Sequence, residues 1–255
     1  GFFRGGAGIE IALIPHGVEE IGSIVLHSHG TECPSSPPFE GGLPGSVNEV
    51  SFLRGSSIMK LMKQGVLTSA FSELGGTREI PKPFGRTRLE GSDILYCRGA
   101  GGSGWGDPLD RDPEMVWGDV VAGTLSVNAA KALYGIVGST ESGIDAPATR
   151  LERSAQLQSR LCAPLFKPKN VLTRALPAIC SGCKTPLHDS NIHVIEIPWE
   201  QLGNGLSSLA DHKQFHLVGR LCGTCGRLFD AYSYLPTERG VHGLTETQLD
   251  RGFGG

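Results

Sequence analysis

The sequence predicts a mixed, mainly β first domain that ends in a short helical pair, followed by a small domain closed by cysteine knuckles. Three observations predict it. Short apolar runs with strand-like patterning occupy the first hundred residues, separated by turns rich in proline and glycine. Capped helical periodicity appears only between Asp112 and Gly135. Two Cys-x-x-Cys pairs, Cys180/Cys183 and Cys222/Cys225, then bracket a stretch with strand-like pieces of its own.

Taken in order, residues 9–14 (IEIALI) and 21–27 (IGSIVLH) read as strands joined by a turn at Pro15-His16-Gly17. Residues 28–48 read as loop, because Pro34, Pro37, Pro38, Gly41, Gly42, Pro44 and Gly45 leave no room for a regular element. Residues 47–53 read as a short strand, and 56–64 as a helical turn or the tail of that loop. Residues 88–98 (RLEGSDILYCR) read as one strand with Leu89, Ile94 and Tyr96 in the core, running into a glycine-rich stretch that ends at Pro108.

Asp112 is placed to cap a helix with Pro113 at its first position and Glu114 in its first turn, ending at Gly123. Ser126 is placed to cap a second, whose apolar Val127, Ala130, Leu133 and Tyr134 recur at helical spacing before Gly135 stops it. Residues 138–156 are polar, with helix expected between Thr149 and Leu161, and 164–177 form an irregular connector. The expected domains are 1–140, a partly helical linker 141–177, the knuckle domain 178–236 and a tail 237–255.

Bulk properties narrow the function. The chain has 255 residues and a formal charge of -3, with 19% charged residues against the roughly 25% usual for globular proteins. No basic excess points to nucleic acid, and no acidic block points to a solvated tail. Glycine supplies 37 residues and proline 16, which reads as many tight turns. The low charged fraction fits a chain that gives surface to a partner, and glycine-rich turns dilute charge as well. No stretch reaches the roughly 20 apolar residues of a membrane span. The start, Gly1-Phe2-Phe3-Arg4, has neither an initiator methionine nor a secretion signal, which suggests a processed, trimmed or partial chain. Seven cysteines, four of them in metal-like pairs, suggest a reducing cytoplasm.

Cys180-Ser-Gly-Cys183 and Cys222-Gly-Thr-Cys225 have the form of two zinc knuckles, each presenting two thiolates to one side. Together they supply the four soft ligands of a tetrahedral site, and residues 191–197 and 214–220 add the strands of a small zinc-ribbon domain. Four cysteines leave no open position for substrate, so a zinc ion held there is structural. Iron–sulfur or redox cysteines are the rival reading. His188, His193, His212 and His216 lie between the knuckles and could replace a cysteine, but ordinary histidines account for them. The domain lacks the Arg/Lys cluster and aromatic platforms of a nucleic-acid binder and reads as a docking or bracing module.

The glycine-rich stretch matches neither a P-loop nor a dinucleotide fingerprint. A loop buried against other backbone, with Trp105 packed over it, explains the glycines, and so does contact with a cavity or subunit interface through Arg98, Gly99, Gly101, Gly102, Gly104, Trp105 and Asp107. His27 and His29 would share a strand face and could ligate a metal with Glu32 or Cys33. Cys33, Cys97 and Cys162 have no nucleophile context and read as buried or incidental.

Phe3-Arg4-Gly5-Gly6-Ala7-Gly8, Gly41-Gly42-Leu43-Pro44-Gly45 and Arg98 through Pro108 resemble the C-terminal part of the hydantoinase B family. So do Arg111-Asp-Pro-Glu114, Asp119-Val120, Gly123, Ser126, Ala129-Ala130 and Tyr134 through Val137, so that the resemblance covers about residues 1–140. The family includes components of ATP-dependent hydantoinases, 5-oxoprolinases, and acetone and acetophenone carboxylases. The resemblance implies a hydantoinase-A-like partner carrying ATP and a divalent metal and further hydantoinase-B-like subunits; it carries no family catalytic ligand onto a residue of this chain, whose catalytic residues stay unknown. Family members are much longer, and the part where most of their ligands lie is absent here. A small zinc-binding component tips the reading toward ketone carboxylases acting on a small ketone and bicarbonate, with this chain inactive alone. A subunit of an ATP-dependent hydantoinase, oxoprolinase or lactamase is the second reading. A stand-alone zinc-ribbon binding protein is the third.

Overall fold

The computed structural model describes residues 1–31, 34, 36–68, 71–167, 177–197 and 216–234. In chain order it shows a mixed β and short-helix region followed by a cysteine-rich C-terminal region, the fold class that the sequence predicts. The chain divides into two compact units that are not contiguous in sequence. One unit comprises Ala7–Thr31 and Val47–Gly101; the other comprises Gly1–Gly6, Glu32–Ser46 and Gly102–Gly255.

The unit built from Ala7–Thr31 and Val47–Gly101 is a small antiparallel β structure. Its strands are β1 (Glu10–Leu13), β2 (Glu20–His27), β3 (Glu49–Arg54), β4 (Thr77–Glu79), β5 (Phe84–Glu90) and β6 (Ile94–Arg98), with α1 (Ile58–Lys63) after β3. One sheet runs β1-β6-β3-β4 and a separate ribbon pairs β2 with β5. Alternation along the central strands sends their side chains two ways. Phe52 and Leu95 meet Leu26 and Leu89 of the ribbon, while Leu53 and Ile94 meet Ile58 and Leu74. The stretch 88–98 is therefore not one strand. It is the end of β5, a turn and the whole of β6, and Leu95 is buried where Tyr96 was expected.

Asp93 holds that turn. Its carboxylate accepts from the backbone N–H of Gly55 at 2.9 Å and of Glu90 at 3.1 Å, and from Arg54 Nη1 at 2.8 Å. Arg54 also lies over the Phe52 ring, its guanidinium carbon 4.0 Å from the centroid, and donates to Glu79. Burial raises the Asp93 carboxyl pKa, and the Gly55 N–H, Arg54 and the Glu90 N–H outweigh it, leaving the group below the usual carboxylate range.

The other unit carries the helices. α2 (Pro113–Val121) is capped by Asp112, whose side chain accepts from the N–H of Glu114 and Met115. α3 (Val127–Tyr134) is capped by Ser126 and stopped by Gly135 at φ 63°. Val116, Val120, Ala130, Tyr134 and Ile136 form their shared core. A two-residue ribbon, β7 (Gly138–Ser139) with β8 (Gly143–Ile144), leads to α4 (Ala146–Cys162), which begins earlier than the sequence suggested because Asp145 caps it. Arg153 of α4 donates to the carbonyls of Tyr134 and Arg111, and Thr149 bonds Val137, so α4 is tied to the helical pair. The C-terminal sheet runs β11-β10-β9, from β9 (Ile192–Ile197), β10 (His216–Cys222) and β11 (Leu228–Tyr234), all antiparallel. The expected tail 237–255 lies outside the described residues.

Candidate metal centre and glycine strap

The second knuckle forms where β10 runs out and turns back into β11. Cys222 accepts from the N–H of Gly226 at 2.9 Å, and Gly226 takes φ 77°. The first knuckle repeats the geometry: Cys180 accepts from the N–H of Lys184 at 3.0 Å, and Lys184 takes φ 62°. Each knuckle thus closes with a residue in the left-handed region one position past its second cysteine, a conformation that costs Lys184 about 1 kcal/mol relative to glycine.

The four sulfurs lie within 4.8 Å of one another. Cys180 Sγ is 3.6 Å from Cys225 Sγ, and Cys183 Sγ is 3.7 Å from Cys222 Sγ. Four sulfurs about 2.3 Å from a central zinc would stand about 3.8 Å apart, so the group fits a tetrahedral ion. Cys180 and Cys222 are buried, among Leu187, Ile192 and Phe229. The thiols are unequal without a metal. The hydroxyl and backbone N–H of Thr185 pull Cys183 down to about 6, whereas burial pushes Cys225 up to about 12. Burial also raises Cys180.

No histidine joins the cluster among the described residues. His193 lies on β9 with its ring near Gly223, and His216 Nδ1 stands 2.6 Å from Glu196. His212 lies outside the described residues. His27 and His29 stack edge to face, centroids 4.5 Å apart, with His27 also 4.8 Å from Phe84. They form no three-ligand group with any described residue, and Glu32 and Cys33 lie outside these. Cys97 is half-buried, its thiol pushed up by burial, and Cys162 is exposed at the end of α4.

The glycine-rich stretch is divided between the units. Arg98, Gly99 and Gly101 belong to the β unit, where Arg98 Nη2 pairs with Glu49 at 3.0 Å and Gly99 N–H bonds Ile9. Gly102, Gly104, Trp105 and Asp107 belong to the helical unit and form a strap. Trp105 bridges Phe3 on one side and Phe39 on the other, with Phe3 N–H to Trp105 O at 2.9 Å and Gly106 N–H to Phe39 O at 3.0 Å. Gly42 lies flat on the Gly104 carbonyl, where a Cβ would collide. The glycines therefore allow backbone to meet backbone, as the sequence suggested. The Trp105 ring is not packed over the loop: it is 48% exposed and lies beside Phe3, itself exposed.

Asp107 is the residue whose role the sequence under-read. It is 3% exposed and accepts from Leu109 N–H at 3.0 Å, Leu228 N–H at 2.8 Å and Arg160 Nη1 at 2.7 Å. Arg227 Nη1 reaches the neighbouring Asp110 at 2.7 Å. Arg160, Arg227 and Leu228 escaped sequence reading because they lie far along the chain. The one local signal was the Asp-Pro pair, where Asp107 caps a short turn of 3₁₀ helix.

No family model matches the chain. It is 28% identical over 144 residues to the acetophenone carboxylase delta subunit of Aromatoleum aromaticum, covering 52% of this chain and 21% of that one. A nucleotide-free acetone carboxylase structure superposes with a TM-score of 0.42 at 21% identity, covering 51% of this chain and 19% of that one. An ATP-dependent caprolactamase from Pseudomonas jessenii gives 0.38 at 20% identity, covering 60% and 23%. The chain thus spans about a fifth of the length of these three proteins. The sequence likeness marks a distant homology, over about half of this chain, to the acetophenone carboxylase delta subunit.

Proposed function

We propose that the chain is a zinc-braced, non-catalytic subunit of an ATP-dependent, biotin-independent ketone carboxylase. The sequence likeness to the acetophenone carboxylase delta subunit carries the reading. The four-cysteine cluster supports it, because a structural ion gives a small region with limited core of its own a fixed fold. The ion would be held by Cys180, Cys183, Cys222 and Cys225, and it supplies folding free energy with no coordination position left for a substrate.

Catalysis then belongs to the assembly. A hydantoinase-A-like partner would use ATP and a divalent metal to convert bicarbonate to carboxyphosphate and the ketone to its enol phosphate. Carboxyphosphate would release CO2 and one phosphate, the enol phosphate would give up its phosphate to one water, and the freed enolate would add to CO2 to give a β-keto acid, in a cavity closed to bulk water. This chain, with further hydantoinase-B-like subunits, would complete or brace that cavity. The residues proposed to border it or a subunit interface are Arg98, Gly99, Gly101, Gly102, Gly104, Trp105 and Asp107. Neither nucleic acid nor membrane is a partner in this reading, and the cytoplasm is the compartment. No helix of the described residues is long and apolar enough to cross a membrane.

The test is to isolate the assembly through an affinity tag on this chain. It is then incubated with ATP, labelled bicarbonate and either acetone or acetophenone. Ketone-dependent incorporation of label is the expected result. ATP-dependent opening of hydantoin, oxoproline or a lactam with no label incorporated would contradict it and favour an amidohydrolase subunit.

A further inference from the structure

We propose that metal occupancy at the four-cysteine cluster sets the order of the glycine strap, with Asp107 as the positioning residue between them. The inference rests on the metal assignment and goes beyond the subunit reading.

The connection is short and continuous within one compact unit. Cys222 and Cys225 define a turn in which Gly226 N–H bonds Cys222 O and Cys222 N–H bonds Arg227 O, each at 2.9 Å. The next residue, Leu228, donates its N–H to Asp107 Oδ2 at 2.8 Å. Arg160 spans the same gap, with Nη1 2.7 Å from Asp107 Oδ2 and 3.4 Å from Gly226 O. Gly41 lies flat on the Leu228 carbonyl, and Gly226 on the Leu157 carbonyl, so neither side of the knuckle has room to slide. On the far side, Asp107 is bonded covalently to Gly106. Gly106 accepts from Phe2 N–H at 3.0 Å and donates to Phe39 O at 3.0 Å.

A buried carboxylate makes this arrangement sensitive. Asp107 keeps its charge out of water only while Arg160 and the two backbone N–H groups face it. One of those N–H groups belongs to the strand that leaves the metal-held turn. When the metal leaves, the turn has no central ligand and the Leu228 N–H is no longer fixed. The carboxylate then recovers its hydration by moving outward, and the strap moves with it. Strap and knuckle should therefore order and loosen together, with the β unit unaffected.

Hydrogen exchange on the zinc-loaded chain, before and after zinc is removed with EDTA, tests the proposal, with bound zinc counted by mass in both states. On zinc removal, the Phe2, Phe3, Trp105 and Gly106 amides should exchange about tenfold faster or more, while Val50 and Phe52 in the β unit stay unchanged. Asp107→Asn should speed the same strap amides with zinc still bound. Arg160→Gln is the milder second variant if Asp107→Asn does not fold. Loosening confined to residues 180–185 and 222–227 on zinc loss would overturn the coupling. So would strap exchange that is unchanged in a folded, zinc-loaded variant, or loss of protection in both units together. A chain that never binds zinc would instead overturn the metal assignment.

Discussion

Asp93 is nearly without exposed surface, and three donors face it, so its charge is stabilised by the fold and costs little there. Its pKa lies below the ordinary carboxylate value. The stability it contributes is therefore complete above about pH 4 and is lost as pH falls through the lowered folded value. Asp93→Asn should cost about 1–3 kcal/mol at neutral pH, measured by urea denaturation followed on the β unit. The difference from the parent chain should shrink in acid, and a gap that widened there would contradict the assignment. At the cysteines the thiol pKa values act on binding, and in the same direction with pH. Zinc displaces protons from thiols such as Cys225, held up at about 12, so competition with a chelator should show affinity rising with pH, about tenfold or more per unit. Cys222→Ser should abolish stoichiometric zinc binding and remove about 10 kcal/mol of folding support from the C-terminal sheet, read by metal content and circular dichroism. These four cysteines were legible because two local Cys-x-x-Cys turns announce themselves in sequence. Asp107 was legible only as a loop residue, since its partners Arg160 and Leu228 are brought to it by tertiary structure.

Among the elements, α2 and α3 were readable to within a residue or two. Their caps, first-turn proline and stop glycines are local chemistry and act through the same atoms in the structure. Ser126→Ala should cost about 1 kcal/mol, because its hydroxyl accepts from Ala129 N–H at 3.1 Å and alanine offers no acceptor there. Thermal denaturation would register the loss. The strands were less readable where pairing decides the conformation. β4 is a three-residue exposed edge, and β11 carries Asp230, whose burial is explained by Arg220 directly across on β10. Residues 88–98 looked continuous because their apolar spacing carries through a turn that only the buried Asp93 and its partners make necessary. Phe52 is fully buried between ribbon and sheet, so Phe52→Ala should destabilise the β unit by about 3–5 kcal/mol, again measured by denaturation.

The whole molecule is organised by returns of the chain. Gly1–Gly6 and Glu32–Ser46 join a unit otherwise drawn from Gly102 onward, and the intervening pieces build the β unit. Linear domain boundaries miss such an arrangement because the joining contacts are backbone to backbone through glycine, and composition alone does not say which glycines meet. The proposed role is that of a zinc-braced chain working as one subunit of a larger ATP-dependent enzyme. Native mass spectrometry of the complex isolated from its source, with metal counted in the same spectra, tests it most directly. The expected result is an assembly in which each copy of this chain carries one zinc beside a hydantoinase-A-like subunit. A lone chain would contradict the subunit role, and a chain without zinc would contradict the metal centre.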